Sequence, residues 1–169
     1  LVNLGDRHDD GPSTREVSLG RMGIACFVAL FVCSARELVL RTWSADSPER
    51  SEYLLLIVAW CSPVLLLQWT YGYVALLRNW FTWTTCVAIS TLSLSIADAA
   101  AIRNGIWTID ARYSVGNVSD YDPFGAVSFL MQGLPVEEFL FFVVTTLMCS
   151  WGLTLAVIVH RRFSTANGS

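Results

Sequence analysis

The sequence contains no lysine and little charge of either sign. Only 15% of its 169 residues are charged, the 11 basic residues are all arginine, and the formal net charge is −3. Soluble domains carry nearer ~25% charged residues. No basic cluster is larger than Arg161-Arg162, so the sequence excludes a nucleic-acid partner that would need a basic surface.

The signatures of cofactor-dependent enzymes are also missing. The five cysteines all lie in apolar stretches and form no C-x-x-C pair, which favours small core residues over metal ligands or disulfides. His8 and His160 lack metal-ligand spacing, and there is neither a G-x-G-x-x-G sequence nor a P-loop. The sequence therefore predicts a protein with no cofactor and no metal site.

Long uncharged runs replace the missing charge. The chain is 54% apolar, and residues 53–77, 79–97 and 139–159 contain no Asp, Glu, Lys or Arg. About 18 or more consecutive residues of this kind are typical of a membrane-spanning helix. We therefore predict an all-α, multi-pass integral membrane protein embedded in a lipid bilayer. Its four transmembrane helices are expected at about 19–40, 53–77, 80–102 and 135–159.

The connections between these helices suggest how the chain is organised. Residues 1–16 are polar and are predicted to be a disordered tail, followed by an extra N-terminal helix and loop over 17–52. Pro63 is expected to kink the second helix without ending it. The very short Arg78-Asn79 turn predicts that the second and third helices are antiparallel neighbours.

The last apolar stretch is too long for one membrane crossing. Residues 124–159 would form a helix of ~54 Å, whereas the hydrocarbon core is ~30 Å thick. A break is expected at Gly133-Leu134-Pro135, with Pro135 at the first position of the fourth helix. Residues 124–132 are then a short re-entrant or interfacial segment, and residues 161–169 are a C-terminal tail.

Three carboxylates stand out in or beside the apolar spans. Asp98 lies near the end of the third helix, and Glu137 and Glu138 open the fourth, so the topology places all three at one membrane face. The arginines divide almost evenly between the two faces, and the positive-inside rule does not decide the orientation.

Ionisable groups at membrane depth are costly and are usually functional or paired. Apolar residues precede the two glutamates and favour a protonated carboxyl group, which can donate a proton to an apolar substrate. The alternative for the glutamates is compensation of the helix dipole, which contributes only ~0.3–1 kcal/mol each. The alternative for Asp98 is an ion pair with Arg103.

Aromatic residues surround these acids in the sequence. Trp107 follows Gly105-Ile106, and Phe139, Phe141 and Phe142 follow the glutamates. Aromatic faces stabilise positive charge, although an interfacial aromatic belt or simple lipid contact would also account for such residues.

Two segments resemble the lycopene cyclase domain family. They are Asp98-Ala-Ala-Ala-Ile-Arg-Asn-Gly-Ile-Trp107 and Gly133-Leu-Pro-Val-Glu-Glu-Phe-Leu-Phe-Phe142. The resemblance covers a three-helix repeat over about 53–160. The chain departs from the family in having Thr145-Thr146 where Thr-Asn is usual, and in carrying one such repeat where family enzymes bring two together.

The resemblance implies a carotenoid end-group cyclase that acts on lycopene or a related carotene. Glu137 or Glu138 would be the acid that starts a carbocation cyclisation, and Asp98 or the other glutamate would remove a proton. Trp107, Pro135, Phe139, Phe141 and Phe142 would contact the substrate. A second cyclase-repeat subunit or a homo-oligomer is implied as partner. The alternatives are a non-catalytic membrane subunit or anchor, and a proton-coupled small carrier that uses the same carboxylates.

Overall fold

A computed structural model describes residues 11–43, 52–108, 114–118 and 131–166. This part of the chain contains four helices, α1 (Thr14–Trp43), α2 (Glu52–Arg78), α3 (Trp80–Arg103) and α4 (Val136–Ala166), and no strands. All four are long and apolar enough to cross a membrane. The all-α prediction with four spans is therefore confirmed.

Helix α1 begins earlier than the sequence predicted. Ser13 and Glu16 form a capping box, in which the Glu16 N–H donates to Ser13 Oγ (3.2 Å) and the Ser13 N–H donates to Glu16 Oε2 (2.8 Å). Because these bonds satisfy backbone groups at the helix start, residues 14–16 form the first turn of α1. They are not part of a disordered tail, and residues 1–10 lie outside the described residues.

The other end of the chain corrects the prediction in the same way. Helix α4 continues through Arg161 to Ala166, so the predicted C-terminal tail over 161–169 is helical as far as residue 166. Val136 is the first helical residue, and Pro135 caps the helix because its carbonyl accepts the Phe139 N–H at 3.2 Å. Of the predicted re-entrant segment over 124–132, only Met131 and Gln132 lie within the described residues, in a turn.

The bend in α2 does not lie where the sequence predicted. The helix continues through Pro63, as expected for a proline in a membrane span, but its non-helical backbone angles are at Gly72 (φ −139°, ψ 16°). A Cβ atom at Gly72 would lie 2.0 Å from Leu155 Cδ2. The glycine therefore bends α2 at a place where Leu155 of α4 leaves no room for a larger side chain.

The arrangement of the helices also differs from the predicted one. The turn between α2 and α3 is a single residue, Asn79, which is shorter still than the predicted Arg78-Asn79 turn. Even so, α2 and α3 have little contact with each other. Helix α4 packs against both of them, and α1 packs mainly against α2, with Phe27 also reaching Trp151 of α4. The two helices predicted to be antiparallel neighbours are thus in sparse contact with each other, and both pack on α4.

Two contacts fix this order. On α2, the Gln68 Nε2 atom donates to the Met148 carbonyl of α4 at 2.9 Å. On α3, the Thr91 and Thr146 hydroxyls are hydrogen-bonded at 2.9 Å in a buried position. Since α4 is held on both sides, the start of α2, the end of α3 and the start of α4 come together at one end of the bundle.

Candidate active site at one end of the bundle

A short loop segment pairs with the residues before α4. The Val118 N–H donates to the Leu134 carbonyl at 2.9 Å, and the Val136 N–H donates to the Gly116 carbonyl at 3.0 Å. Gly133, with φ of +84°, turns the chain into this pairing, a backbone angle that glycine adopts without strain. The pairing holds Ser114 and Val115 above the first turn of α4.

Glu137 is enclosed by this loop. Its side chain is fully buried, Oε1 accepts the Val115 N–H at 2.5 Å, and Oε2 accepts the Ser114 hydroxyl at 3.1 Å. Both carboxyl oxygens are thus occupied by the protein itself. Glu137 anchors the loop to α4, a different environment from that of its neighbour.

Glu138 faces α2. Its Oε1 atom accepts the Tyr53 hydroxyl at 2.9 Å, and the side chain is only half-buried. Adjacent residues on a helix differ by about 100° in direction, which is why two neighbouring glutamates have such different partners. The sequence alone does not identify Tyr53 as a site residue, because a tyrosine at the start of an apolar span is also typical of an interfacial belt.

Asp98 reaches the same place from α3. Its Oδ2 atom is buried and has no hydrogen-bond partner in the described part of the chain. It interacts electrostatically with Glu138, and Tyr53 interacts with Asp98, Glu137 and Glu138. The structure therefore brings three acids from two helices, α3 and α4, together around Tyr53 of α2. We call these four residues the acid end.

The aromatic residues divide into those at the acid end and those away from it. Phe139 and Phe142 pack against a buried cluster of Ala99, Met131 and Leu134. Phe141 contacts the Phe142 ring, with a centroid separation of 6.0 Å. These three rings are therefore close to the carboxylates.

Pro135 and Trp107, the other two residues predicted to contact the substrate, have different surroundings. Pro135 is buried and bridges to Asn117 in the loop pairing, which indicates a role in the turn before α4. Trp107 lies beyond α3 and is 37% exposed. The predicted role of these two residues in substrate binding stays a prediction.

Comparison with known proteins points to one group. A lycopene beta-cyclase from Halobacterium salinarum (strain R1) is 38% identical over 111 residues, which is 66% of this chain and 42% of that protein. A bifunctional lycopene cyclase/phytoene synthase from Phaeosphaeria nodorum is 36% identical over 106 residues, 61% of this chain and 16% of that protein. A protein of the same name from Arthroderma gypseum is 36% identical over 103 residues, 60% and 15% of the two chains.

The chain thus spans about two-fifths of the length of the Halobacterium relative and a smaller share of the fungal ones. No protein-family model matches the chain, and no solved structure matches it. The chain is thus similar to two kinds of lycopene cyclase, over 66% of its length for the first and 61% for the second.

Proposed function

We propose that the chain is the catalytic part of a membrane-embedded carotenoid cyclase, which converts linear lycopene-type carotenes to cyclic ones. The observation that carries this proposal is the convergence of Asp98, Glu137 and Glu138 around Tyr53 in otherwise apolar helices. The names of its relatives supply the substrate class. Acids in an apolar setting suit proton transfer to a hydrocarbon.

The proposed reaction begins when an acid adds a proton to the terminal double bond of the carotene. The π electrons form the new C–H bond and leave a tertiary cation, which the electrons of a nearby internal double bond attack to close a six-membered ring. The cation is then in the ring, and a base removes a ring proton to restore a double bond. One proton enters and one leaves, so the reaction is an isomerisation.

The surroundings of the acids suggest which one donates. A donated hydroxyl stabilises a carboxylate, and Glu138 accepts one from Tyr53. Asp98 has a buried oxygen without a donor, which favours the neutral form. Since two neighbouring carboxylates repel each other, we assign the proton to Asp98 as the acid and the charge to Glu138 as the base.

Glu137 has a supporting role in this proposal. Both of its oxygens accept hydrogen bonds from the loop, so it holds Ser114 and Val115 over the acid end and helps to exclude water. Water exclusion matters because water would quench the cation. Phe139, Phe141 and Phe142 offer aromatic faces to the positive charge.

A stripe of exposed side chains suggests where the polyene lies. Trp60, Leu67 and Tyr71 are 58%, 59% and 84% exposed. They follow Tyr53 at intervals of seven, fourteen and eighteen residues along α2, which places all four on one helix face. At ~1.5 Å per residue this face is ~27 Å long, and we propose that it carries the extended hydrocarbon with one end at Tyr53 and Glu138.

The proposal places all four helices across a lipid bilayer, where an apolar substrate dissolves. It also includes a second cyclase repeat, supplied by another subunit or by another copy of the chain. The similarity to relatives of which this chain spans 42% supports a functional unit larger than the described helices.

Pigment analysis in bacteria that accumulate lycopene tests the proposal. The chain is expressed alone and together with a second repeat-bearing chain, and cyclic carotenes are expected in at least one combination. Glu138→Gln should abolish them, whereas Glu37→Gln, on an exposed carboxylate paired with Arg36, should not. Unchanged lycopene in every combination would contradict the proposal and favour a non-catalytic subunit or a proton-coupled carrier.

A further inference from the structure

Ser95 on α3 differs from the other hydroxyl-bearing residues of the helices. Serine and threonine in a helix commonly donate to the carbonyl four residues earlier. Such bonds occur throughout the bundle, at Ser62, Ser93, Thr145 and Thr154, among others. Ser95 is fully buried, yet its Oγ atom has no hydrogen-bond partner in the described part of the chain.

The second buried oxygen without a partner on α3 lies one turn further along. It is Oδ2 of Asp98, and residues three apart in a helix share a face with their Cβ atoms about 5–6 Å apart. The Thr91–Thr146 hydrogen bond holds the preceding turn of the same face against α4. Buried polar atoms without partners are costly and uncommon, so two of them side by side need an explanation.

We propose that Ser95 is a positioning residue for Asp98, and that its hydroxyl donates to Asp98 Oδ2 when that carboxyl group has given up its proton. The inference rests on the proposed function, because it explains how the Asp98 carboxylate is stabilised after it has donated its proton. Rotation of the two side chains joins the atoms. Hydrogen bonds to an ionised acceptor are about twice as strong as neutral ones, so this bond favours the charged state over the resting one.

The other groups near Asp98 do not stabilise its charged form. Glu138 on α4 interacts with it as a like charge, and Tyr53 on α2 already donates to Glu138. Glu137 is occupied by Ser114 and Val115. Ser95 differs from these groups, because it lies three residues before Asp98 on the same face of α3 and its hydroxyl has no partner in the described part of the chain.

An infrared pH titration of the full chain in lipid vesicles tests the inference without substrate. The carboxyl band that disappears in Asp98→Asn reports the protonation of Asp98. Because Ser95 stabilises the charged form, Ser95→Ala should move the midpoint of this band upward by about one pH unit, the loss expected for one hydrogen bond to a carboxylate. Ser93→Ala is the matched control, since Ser93 is exposed and bonded to the Ile89 carbonyl, and it should leave the midpoint in place.

A second variant keeps the test decisive if Ser95→Ala does not accumulate. Ser95→Cys retains a weak donor of similar size, and its midpoint should lie between those of the parent chain and an alanine variant. The inference is overturned if neither Ser95 variant moves the midpoint. That result would leave the proposed function standing wherever the parent chain still cyclises lycopene, whereas a shifted midpoint without any cyclisation would refute the function alone.

Discussion

The two ends of the bundle use polar and aromatic residues in opposite ways. At the end away from the acids, Trp69, Trp83 and Trp151 pack with Phe27 and Tyr73, and we call these five residues the tryptophan cluster. Centroids of the Trp69 and Trp151 rings are 5.3 Å apart. At the acid end, four polar residues converge, and two buried oxygens, one on Asp98 and one on Ser95, have no hydrogen-bond partner in the described part of the chain.

Packing at the tryptophan cluster is close. The Trp69 ring lies against Gly23, where a Cβ atom would be 2.3 Å from Nε1. The Trp69 and Trp83 N–H groups donate to the Gly20 and Leu76 carbonyls at 3.0 and 2.8 Å. Within the described residues, the buried Trp151 Nε1 atom lacks a partner, and so does the Oε1 atom of Gln68, the chain neighbour of Trp69.

We therefore expect stability and the proposed chemistry to be concentrated at different ends of the bundle. Close packing of large rings is what holds helices together in lipid, where the hydrophobic effect between helices is weak. Ionisable side chains at membrane depth are costly and are usually functional or paired, and the acid end is where such side chains converge. Variants at the two ends should therefore separate activity from stability.

The largest effect is expected from the acids. Asp98→Asn and Glu138→Gln should each lower the rate of lycopene cyclisation by about 10²–10⁴-fold, the usual contribution of a general acid or base. Their helix content and unfolding should match those of the parent chain. Product analysis after incubation of membranes with lycopene measures the rate, with Glu37→Gln as control. An equal loss of cyclisation rate in Glu37→Gln would contradict the assignment of the chemistry to the acid end.

A large loss of stability, rather than of activity, is expected at the tryptophan cluster. Trp151→Ala removes a side chain that is only 4% exposed and should lower the free energy of unfolding by about 3–5 kcal/mol. Trp80→Ala, at a residue 59% exposed on the surface of α3, should have little effect. Unfolding by a denaturing detergent, followed by circular dichroism, compares the two. Similar stabilities would contradict the assignment of the cluster as the stabilising end.

A smaller loss of stability is expected when the loop anchor is removed. Glu137→Ala leaves the Val115 N–H and the Ser114 hydroxyl without their acceptor, which should lower the free energy of unfolding by about 1–3 kcal/mol. Glu137→Gln retains an acceptor and should recover part of this loss. Proteolysis of the loop in vesicles, compared with global unfolding, checks whether the change is local. A Gln variant as unstable as the Ala variant would show that the charge matters more than the hydrogen bonds.

The smallest effect is expected along the proposed path of the polyene. Trp60→Ala should raise KM for lycopene about fivefold with little change in kcat, as expected for the loss of about 1 kcal/mol of apolar contact. Trp80→Ala is the matched control, since Trp60 and Trp80 are 58% and 59% exposed. Kinetics with lycopene in mixed vesicles measure both constants. If the two variants behave alike, the stripe on α2 is not the substrate path.

Much of the fold could be predicted from the sequence, because uncharged runs and caps are local signals. The single-residue turn at Asn79 and the shared location of Asp98 with the two glutamates follow from helix lengths and connections alone. The sparse contact between α2 and α3 could not be predicted in this way. It depends on Gly72 and Thr91, which bring those helices onto α4 through contacts distant in the sequence.

The candidate site also depends on contacts between residues that are distant in the sequence. Two adjacent glutamates on a helix must face different directions, but the sequence does not say which one faces the loop. The partners of Glu137 lie 22 and 23 residues away, and Tyr53 lies 85 residues from Glu138. No periodic pattern links residues so far apart, and only the three-dimensional structure separates the enclosed glutamate from the accessible one.

The most direct test of the central claim is cyclisation in heavy water. If a carboxyl group of the acid end starts the reaction with an exchangeable proton and a second carboxylate removes a different one, each new ring should contain one deuterium. Mass spectrometry of the cyclic carotene should then show a gain of about one mass unit per ring. Cyclic product free of deuterium would contradict a proton-initiated reaction at the acid end.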